Sequence, residues 1–170
     1  MNIRKYLLSV AFAVTMLASL APGARAATAT GNFNVTVTLT SVCTMAAITP
    51  LAFGTYTAFQ AGIQTATPTT ATLTCTRGLT GVTANFDTAA PNSTAAAANT
   101  NAVGAGVIQG LQYDIVATAG SVTAGTAATA SSIGTGDSRP YTISGTMPAA
   151  QAGDPAGNPS PQQRTLTVNY

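Results

Sequence analysis

Short runs in which apolar and polar residues alternate recur along this chain, and they constrain its fold more than any other feature. The clearest, residues 33–40, reads FNVTVTLT, and residues 166–170 repeat the pattern as LTVNY. Strict alternation places successive side chains on opposite faces of an extended strand, so that one face is buried and the other is solvated. No segment carries a capped apolar stripe at helical spacing. The pattern predicts an all-β domain.

The first 26 residues form a segment of a different kind. Arg4 and Lys5 precede an apolar run over residues 6–20, and residues 24–26 read ARA, a small-x-small cleavage site. These are the features of a secretory signal peptide, which does not enter the fold. We expect an exported mature chain of 144 residues that forms one domain.

Removal of this segment reverses the sign of the net charge. The residues after position 26 retain three arginines and four aspartates, a net charge of −1, and contain no Lys, Glu, His or Trp. A basic surface for nucleic acid or an anionic membrane is therefore not expected. Catalysis and metal binding lack their usual side chains. We expect no enzyme activity, no cofactor, no metal site and no small-molecule substrate.

Two cysteines, Cys43 and Cys75, lie in the mature chain. An even count in an exported protein suggests one disulfide, and the alternative is a pair of buried free thiols. Closing the loop between them would stabilise the fold by roughly 3–4 kcal/mol on the chain-entropy model.

Seven short runs with β-type composition are separated by Gly, Pro, Asn and Ser, as in a sandwich of immunoglobulin-like size. They span residues 32–42, 51–57, 69–77, 82–87, 111–117, 139–146 and 163–170. Two stretches rich in breakers, 88–107 and 147–162, are expected to be mobile surface loops. A sandwich of this kind that ends on its sixth core strand lacks its seventh, and this would expose a core groove and an unpaired edge.

Several weak motifs occur in an order that points to one family. They are the FNVTVTLT run leading to Cys43, FGTY at 53–56, ATLTC at 71–75 with Gly78 after it, LQYD at 111–114, ISGTMPAAQ at 143–151 and the closing LTVNY. Together they resemble the spore coat U domain family, which includes the subunits of archaic, Csu-type chaperone–usher pili. That family usually shows Gly-x-Tyr-x-Asp before the last strand, whereas residues 157–164 read GNPSPQQR. The start of the final strand is therefore expected to differ.

The resemblance implies an incomplete immunoglobulin-like β-sandwich that lacks its last strand and is completed by donor-strand exchange. It divides the chain into a signal peptide (1–26), an N-terminal donor-strand segment (27–39) and a pilin domain (40–170). Apolar donor positions are expected at Phe33, Val35, Val37 and Leu39. The strand lining the acceptor groove is expected to present Leu166, Val168 and Tyr170. The alternative is that FNVTVTLT is the first strand of the subunit's own sandwich.

The same resemblance implies a structural subunit of a pilus that serves surface adhesion and biofilm formation. Its expected partners are further copies or related pilus subunits bound head to tail, a periplasmic chaperone and an outer-membrane usher. The expected location is the cell surface, reached through the periplasm. Two alternatives stay open: a monomeric secreted module that binds glycans through exposed tyrosines, and a structural coat protein.

Overall fold

The computed structural model of the chain describes residues 28–88, 94–95, 101–157 and 160–170. The chain divides into two units, Met1–Thr38 and Leu39–Tyr170. In the first unit, the described residues 28–38 contain neither helix nor strand. The expected signal peptide, residues 1–26, lies outside the described residues and stays a prediction.

The second unit consists of β-strands, and its described residues contain no helix. The strands are β1 (Cys43–Met45), β2 (Gln64–Thr65), β3 (Thr69–Cys75), β4 (Thr83–Phe86), β5 (Thr94–Ala95), β6 (Ala102–Ile108), β7 (Leu111–Ala119), β8 (Asp137–Met147) and β9 (Leu166–Asn169). Seven of them form a large antiparallel sheet in the order β1-β3-β8-β7-β6-β5, and β2 pairs with β8 beyond the start of β3. The other two, β4 and β9, form a small antiparallel sheet. The expected all-β class is confirmed, and the two sheets are consistent with an incomplete β-sandwich.

The core lies between the two sheets. Every second side chain is buried along β3, β7 and β8, as Leu73, Tyr113 and Tyr141 illustrate. The small sheet contributes Ala84 and Phe86 from β4. This period of two is the one that the sequence alternation predicts for strands with one buried face.

The domain has two ends, which we call the cysteine end and the hairpin end. At the cysteine end, Cys43 of β1 pairs with Cys75 of β3, which pairs with Asp137 at the start of β8. At the hairpin end, β8 finishes at Met147 and the turn after Ile108 joins β6 to β7. Because β3 and β8 are antiparallel neighbours, these ends lie at opposite edges of the large sheet.

Five of the seven predicted strands are present, with small changes in their limits: 69–77, 82–87, 111–117, 139–146 and 163–170. The prediction for 51–57 was wrong, because only Ala52 makes an isolated bridge, to Thr67, while Leu51 and Phe53 pack on the core from an irregular segment. The prediction for 32–42 was also wrong for this single chain, in which residues 28–42 form no strand. Alternation gives a segment the capacity to form a strand, but hydrogen bonds to a neighbouring strand are needed to realise it.

The loop predicted for 88–107 is partly wrong as well, because β6 begins at Ala102 and β5 occupies residues 94 and 95. Residues 89–93 and 96–100 lie outside the described part of the chain. The glycines of β6 hid its alternation, and one of them has a specific packing role. A Cβ at Gly106 would overlap the hydroxyl oxygen and the adjacent ring carbons of Tyr113, so this side chain packs in its present position only over glycine.

Candidate acceptor groove

The open edge of β9 is the first element of the candidate site. In an antiparallel pair, the backbone groups of alternate residues point toward the partner strand. The N–H of Asp87, just after β4, donates to the carbonyl oxygen of Thr165 at 3.0 Å. Leu166 and Val168 therefore direct their N–H and C=O groups away from β4. Among the described strands none pairs with β9 on that side.

The outer edge of β1 is the second element. The N–H of Thr76 donates to the carbonyl oxygen of Val42 at 2.9 Å, so the alternate residues Cys43 and Met45 turn their backbone groups away from β3. The N–H of Cys43 instead donates to the hydroxyl oxygen of Tyr170 at 3.1 Å. This bond joins the end of β9 to the start of β1 across the two sheets.

These two edges border one gap. The small sheet lies with β4 close to β6 and with Tyr170, which follows β9, at β1. We call the region between the outer edges of β1 and β9 the acceptor groove, after the role expected of β9 from the sequence. Several partly buried apolar side chains border it or lie near it and pack on the core: Met45, Leu79, Leu166 and Val168. The arrangement offers two rows of backbone hydrogen-bonding groups above an apolar floor.

The groove has a small concavity at the cysteine end. Its volume is about 150 Å³, and it is lined by Ser41, Cys43, Cys75, Thr76, Gly78, Leu79, Thr80 and Tyr170. Cys43 and Cys75 form a disulfide there, between β1 and β3. The disulfide fixes the three-residue β1 in place, which its few ladder hydrogen bonds alone would hold weakly.

Arg164 positions the start of β9 at the hairpin end. Its Nε lies 3.0 Å from Asp87 Oδ1 in an ion pair, and its Nη2 donates to the carbonyl oxygen of Asp87 at 2.8 Å. Its Nη1 donates to the carbonyl oxygen of Ala105 and to the hydroxyl of Tyr113, and this hydroxyl also bonds to Gln162. One guanidinium thus ties β9 to β4 and to both strands of the β6–β7 hairpin.

The carboxylate of Asp87 is shaped by the same network. Burial raises the pKa of Asp87, but the hydrogen bond from the Thr165 N–H and the Arg164 guanidinium outweigh burial and hold the pKa below its ordinary value. Asp87 is therefore ionised at neutral pH. The sequence motifs contain no sign of this network beyond the possibility that a strand aspartate pairs with an arginine.

Asp137 plays the corresponding role at the cysteine end. Its Oδ1 accepts the N–H of Gly125, and its Oδ2 accepts the N–H groups of Gly78 and Leu79. These bonds, led by the one from Gly125, lower the pKa of the Asp137 carboxyl. One buried carboxylate thus holds two loops beside the groove. Asp137 lies in the glycine-rich stretch GTGDSR, residues 134–139, a context in which an aspartate commonly binds the backbone of a turn.

Tyr141 carries a buried polar atom without a partner. The side chain is fully buried on the inner face of β8, and its hydroxyl makes no hydrogen bond with any described residue. Burial raises the pKa of this phenol. An unsatisfied buried hydroxyl lowers the stability of the fold.

The predicted site residues fall into two groups. Leu166 and Val168 are half-buried on β9, while Tyr170 is 59% exposed and bonds to β1. The expected donor positions Phe33, Val35, Val37 and Leu39 are each between 81% and 90% exposed. Such exposure of four large apolar side chains at every second position is costly in water.

The described residues give no sign of a metal or membrane-spanning site. They contain no cluster of three or more side chains suited to hold a metal ion. Within the same residues, no helix has the length and apolar character to cross a bilayer.

An all-β domain with an open strand edge beside apolar side chains is typical of the class of incomplete β-sandwiches. The model of the Spore Coat Protein U domain matches residues 29–160, and the chain belongs to that family. The match begins within the N-terminal segment and covers every described strand except β9. No curated protein and no solved structure matches the chain.

Proposed function

We propose that this protein is a structural subunit of a chaperone–usher pilus that polymerises by donor-strand exchange. Residues 27–39 of one subunit occupy the acceptor groove of the next and complete its sandwich. The proposal rests on one observation: the same chain contains both an acceptor groove with open strand edges and an uncharged segment in which apolar and polar residues alternate. Residues 1–26 act as the signal peptide and residues 40–170 as the pilin domain.

The donor segment suits the groove in length and chemistry. Residues 33–39 span about 23 Å when extended, at roughly 3.3 Å per residue, which is longer than the four residues of β9. Phe33, Val35, Val37 and Leu39 would then face the apolar floor, while the intervening Asn and Thr face solvent. No charged side chain has to be desolvated, because residues 27–42 contain none.

The energy of this insertion is large for a domain of this size. Burying four large apolar side chains at about 1.5–3 kcal/mol each contributes roughly 6–12 kcal/mol. The whole stability of a small domain is about 5–15 kcal/mol. A subunit with an empty groove should therefore depend on a partner, and we assign that role before assembly to a periplasmic chaperone working with an outer-membrane usher. Membership of the Spore Coat Protein U domain family supports this assignment.

Head-to-tail insertion also accounts for a fibre. Each subunit gives a strand to one neighbour and accepts a strand from another, so the contact is heterologous and does not have to close into a ring. We place the resulting pilus on the cell surface, where it serves adhesion and biofilm formation without enzyme activity. The distribution of tyrosines does not favour a glycan-binding surface, because Tyr113 and Tyr141 are buried, Tyr56 is half-buried and the 59% exposed Tyr170 accepts a hydrogen bond from Cys43.

Gel electrophoresis of pili sheared from cells tests the proposal. Unheated samples should give a ladder of multiples that collapses to one band on boiling. Val37→Asp should abolish the ladder because it places a charge on the face that enters the groove. Thr36→Asp, one residue away on the solvent face, is the matched control and should keep the ladder. Equal ladders from both variants, or from a chain lacking residues 27–39, would refute donor-strand exchange.

A further inference from the structure

Loop 57–63 presents two large apolar side chains at the hairpin end of the domain. Phe59 is 71% exposed and Ile63 is 65% exposed. The residues between them are small or polar, so nothing on the loop covers them. Two such side chains on one short loop indicate a surface that contacts another molecule.

The loop is held in one shape by bonds to the segment that follows β8. The N–H of Phe59 donates to the carbonyl oxygen of Gln151 at 2.8 Å, and the N–H of Ala150 donates to the carbonyl oxygen of Gln60 at 2.8 Å. The side chain of Gln60 closes the loop by accepting the N–H of Thr57 at 3.0 Å. A preformed loop loses little conformational entropy when it binds.

Phe59 itself has an unusual backbone conformation. Its φ is 57°, in the left-handed region that aromatic residues seldom adopt. Glycine or asparagine would relieve the strain, and the core does not require phenylalanine there because the ring points into solvent. A strained residue with an exposed ring therefore indicates a surface that contacts a partner.

The proposed fibre identifies that partner as a second copy of the chain. A donor strand ends at Leu39, while Ser41 of the same subunit lies 2.6 Å from Thr76, Oγ to Oγ1, and Val42 accepts the N–H of Thr76. The link between the inserted strand and its own domain is therefore only one or two residues. Such a link spans less than about 10 Å, so the two domains must touch where the donor leaves the groove.

The direction of insertion decides which surfaces meet. β9 runs from the hairpin end to the cysteine end, since Arg164 reaches Tyr113 at its start and Tyr170 reaches Cys43 after its end. A donor antiparallel to β9 leaves the groove at the hairpin end. It continues there into its own domain, whose β1 starts at the cysteine end. Successive subunits then stack end to end, whereas a parallel donor would crowd both neighbours at one end.

We propose that loop 57–63 packs against the cysteine end of the subunit whose strand fills the groove. That end exposes its own apolar side chains, Val42 at 53% and Val122 at 41%, and the bridge between Thr123 and Ser138 places Val122 beside the start of β8. The contact rests on the proposed function and adds to it a second, non-strand interface. This interface would fix the angle between neighbouring subunits.

Photo-cross-linking in cells that assemble the fibre tests this contact. Phe59→p-benzoylphenylalanine places the reactive ketone on the loop, and Val103→p-benzoylphenylalanine, 44% exposed on the large sheet, is the control. After irradiation, boiling removes strand-exchanged polymers and leaves only covalent dimers. We expect dimers from position 59 at least fivefold above those from position 103. Mass spectrometry should map the links to the neighbourhood of Val42 and Val122.

The same samples are also run without heating, because the ladder tests donor-strand exchange separately from the loop contact. A normal ladder without dimers from position 59, or with links that map elsewhere, would overturn the loop contact and leave donor-strand exchange standing. Absence of a ladder from the wild-type protein would overturn donor-strand exchange, and the loop contact with it.

Discussion

Arg164→Ala should be among the most damaging single substitutions in this domain. Among the described residues, the guanidinium donates hydrogen bonds to Asp87, Ala105 and Tyr113. The side chain is only 10% exposed, and that of Asp87 is 19% exposed. Removing one partner of a largely buried ion pair costs about 3–5 kcal/mol, because the other charge is left uncompensated. A loss of this size is a large share of the roughly 5–15 kcal/mol that stabilises a small domain.

Urea unfolding of the mature chain with its groove filled by a peptide of residues 27–39, followed by circular dichroism, measures the effect. Arg164→Lys keeps the charge but not the planar fork of donors, and it should cost about 1–3 kcal/mol. Arg77→Ala is the control, because Arg77 is exposed on the loop after β3; it should change the unfolding free energy by less than about 0.5 kcal/mol. A cost of less than about 1 kcal/mol for Arg164→Ala would show that the network does not hold β9 in place.

Three further predictions concern the core and the loops. The N–H groups of Gly125, Leu79 and Gly78 lower the pKa of Asp137 from its ordinary 3.8. The stability that the ionised carboxylate contributes is therefore present at neutral pH and is lost as the pH falls below about 4. Thermal melts from pH 7 to pH 3 should show a smaller fall in melting temperature for Asp137→Asn than for the wild-type protein. Tyr141→Phe should raise the unfolding free energy by about 1 kcal/mol by removing an unsatisfied hydroxyl, and a lower urea midpoint would contradict this. Gly106→Ala should cost about 1–3 kcal/mol because the methyl group displaces the Tyr113 ring, whereas Gly62→Ala, with open space around it, should be close to neutral in the same urea titration.

The sequence predicted the parts of the fold in which one strand carries its own alternation. The runs around β3, β7 and β8 bury every second residue and β9 half-buries every second residue, so each could be recognised without its neighbours. β6 escaped recognition because three of its seven residues are Ala102, Gly104 and Gly106 on the buried side, and their burial depends on large partners such as Tyr113. Small residues carry no hydropathy signal of their own.

The candidate site was only partly predictable for a related reason. Leu166 and Val168 belong to an alternating run, but the Arg164 network joins residues 51 to 77 positions apart in the sequence. No spacing rule connects such residues. Segment 32–42 is the opposite case, because its alternation is clear in the sequence, yet residues 28–42 of a single chain form no strand. Strand formation there requires a neighbouring strand that the local sequence does not specify.

The disulfide between Cys43 and Cys75 has a mechanical consequence. In the proposed fibre, tension that arrives along residues 39–42 would reach β1 first, and a three-residue strand would peel from its ladder under a modest pull. The covalent bond at the first residue of β1 passes the load directly to β3, which is paired with β8 over seven residues. There the hydrogen bonds lie across the direction of pulling and share the force in shear. The domain can therefore carry tension that its first strand alone could not bear.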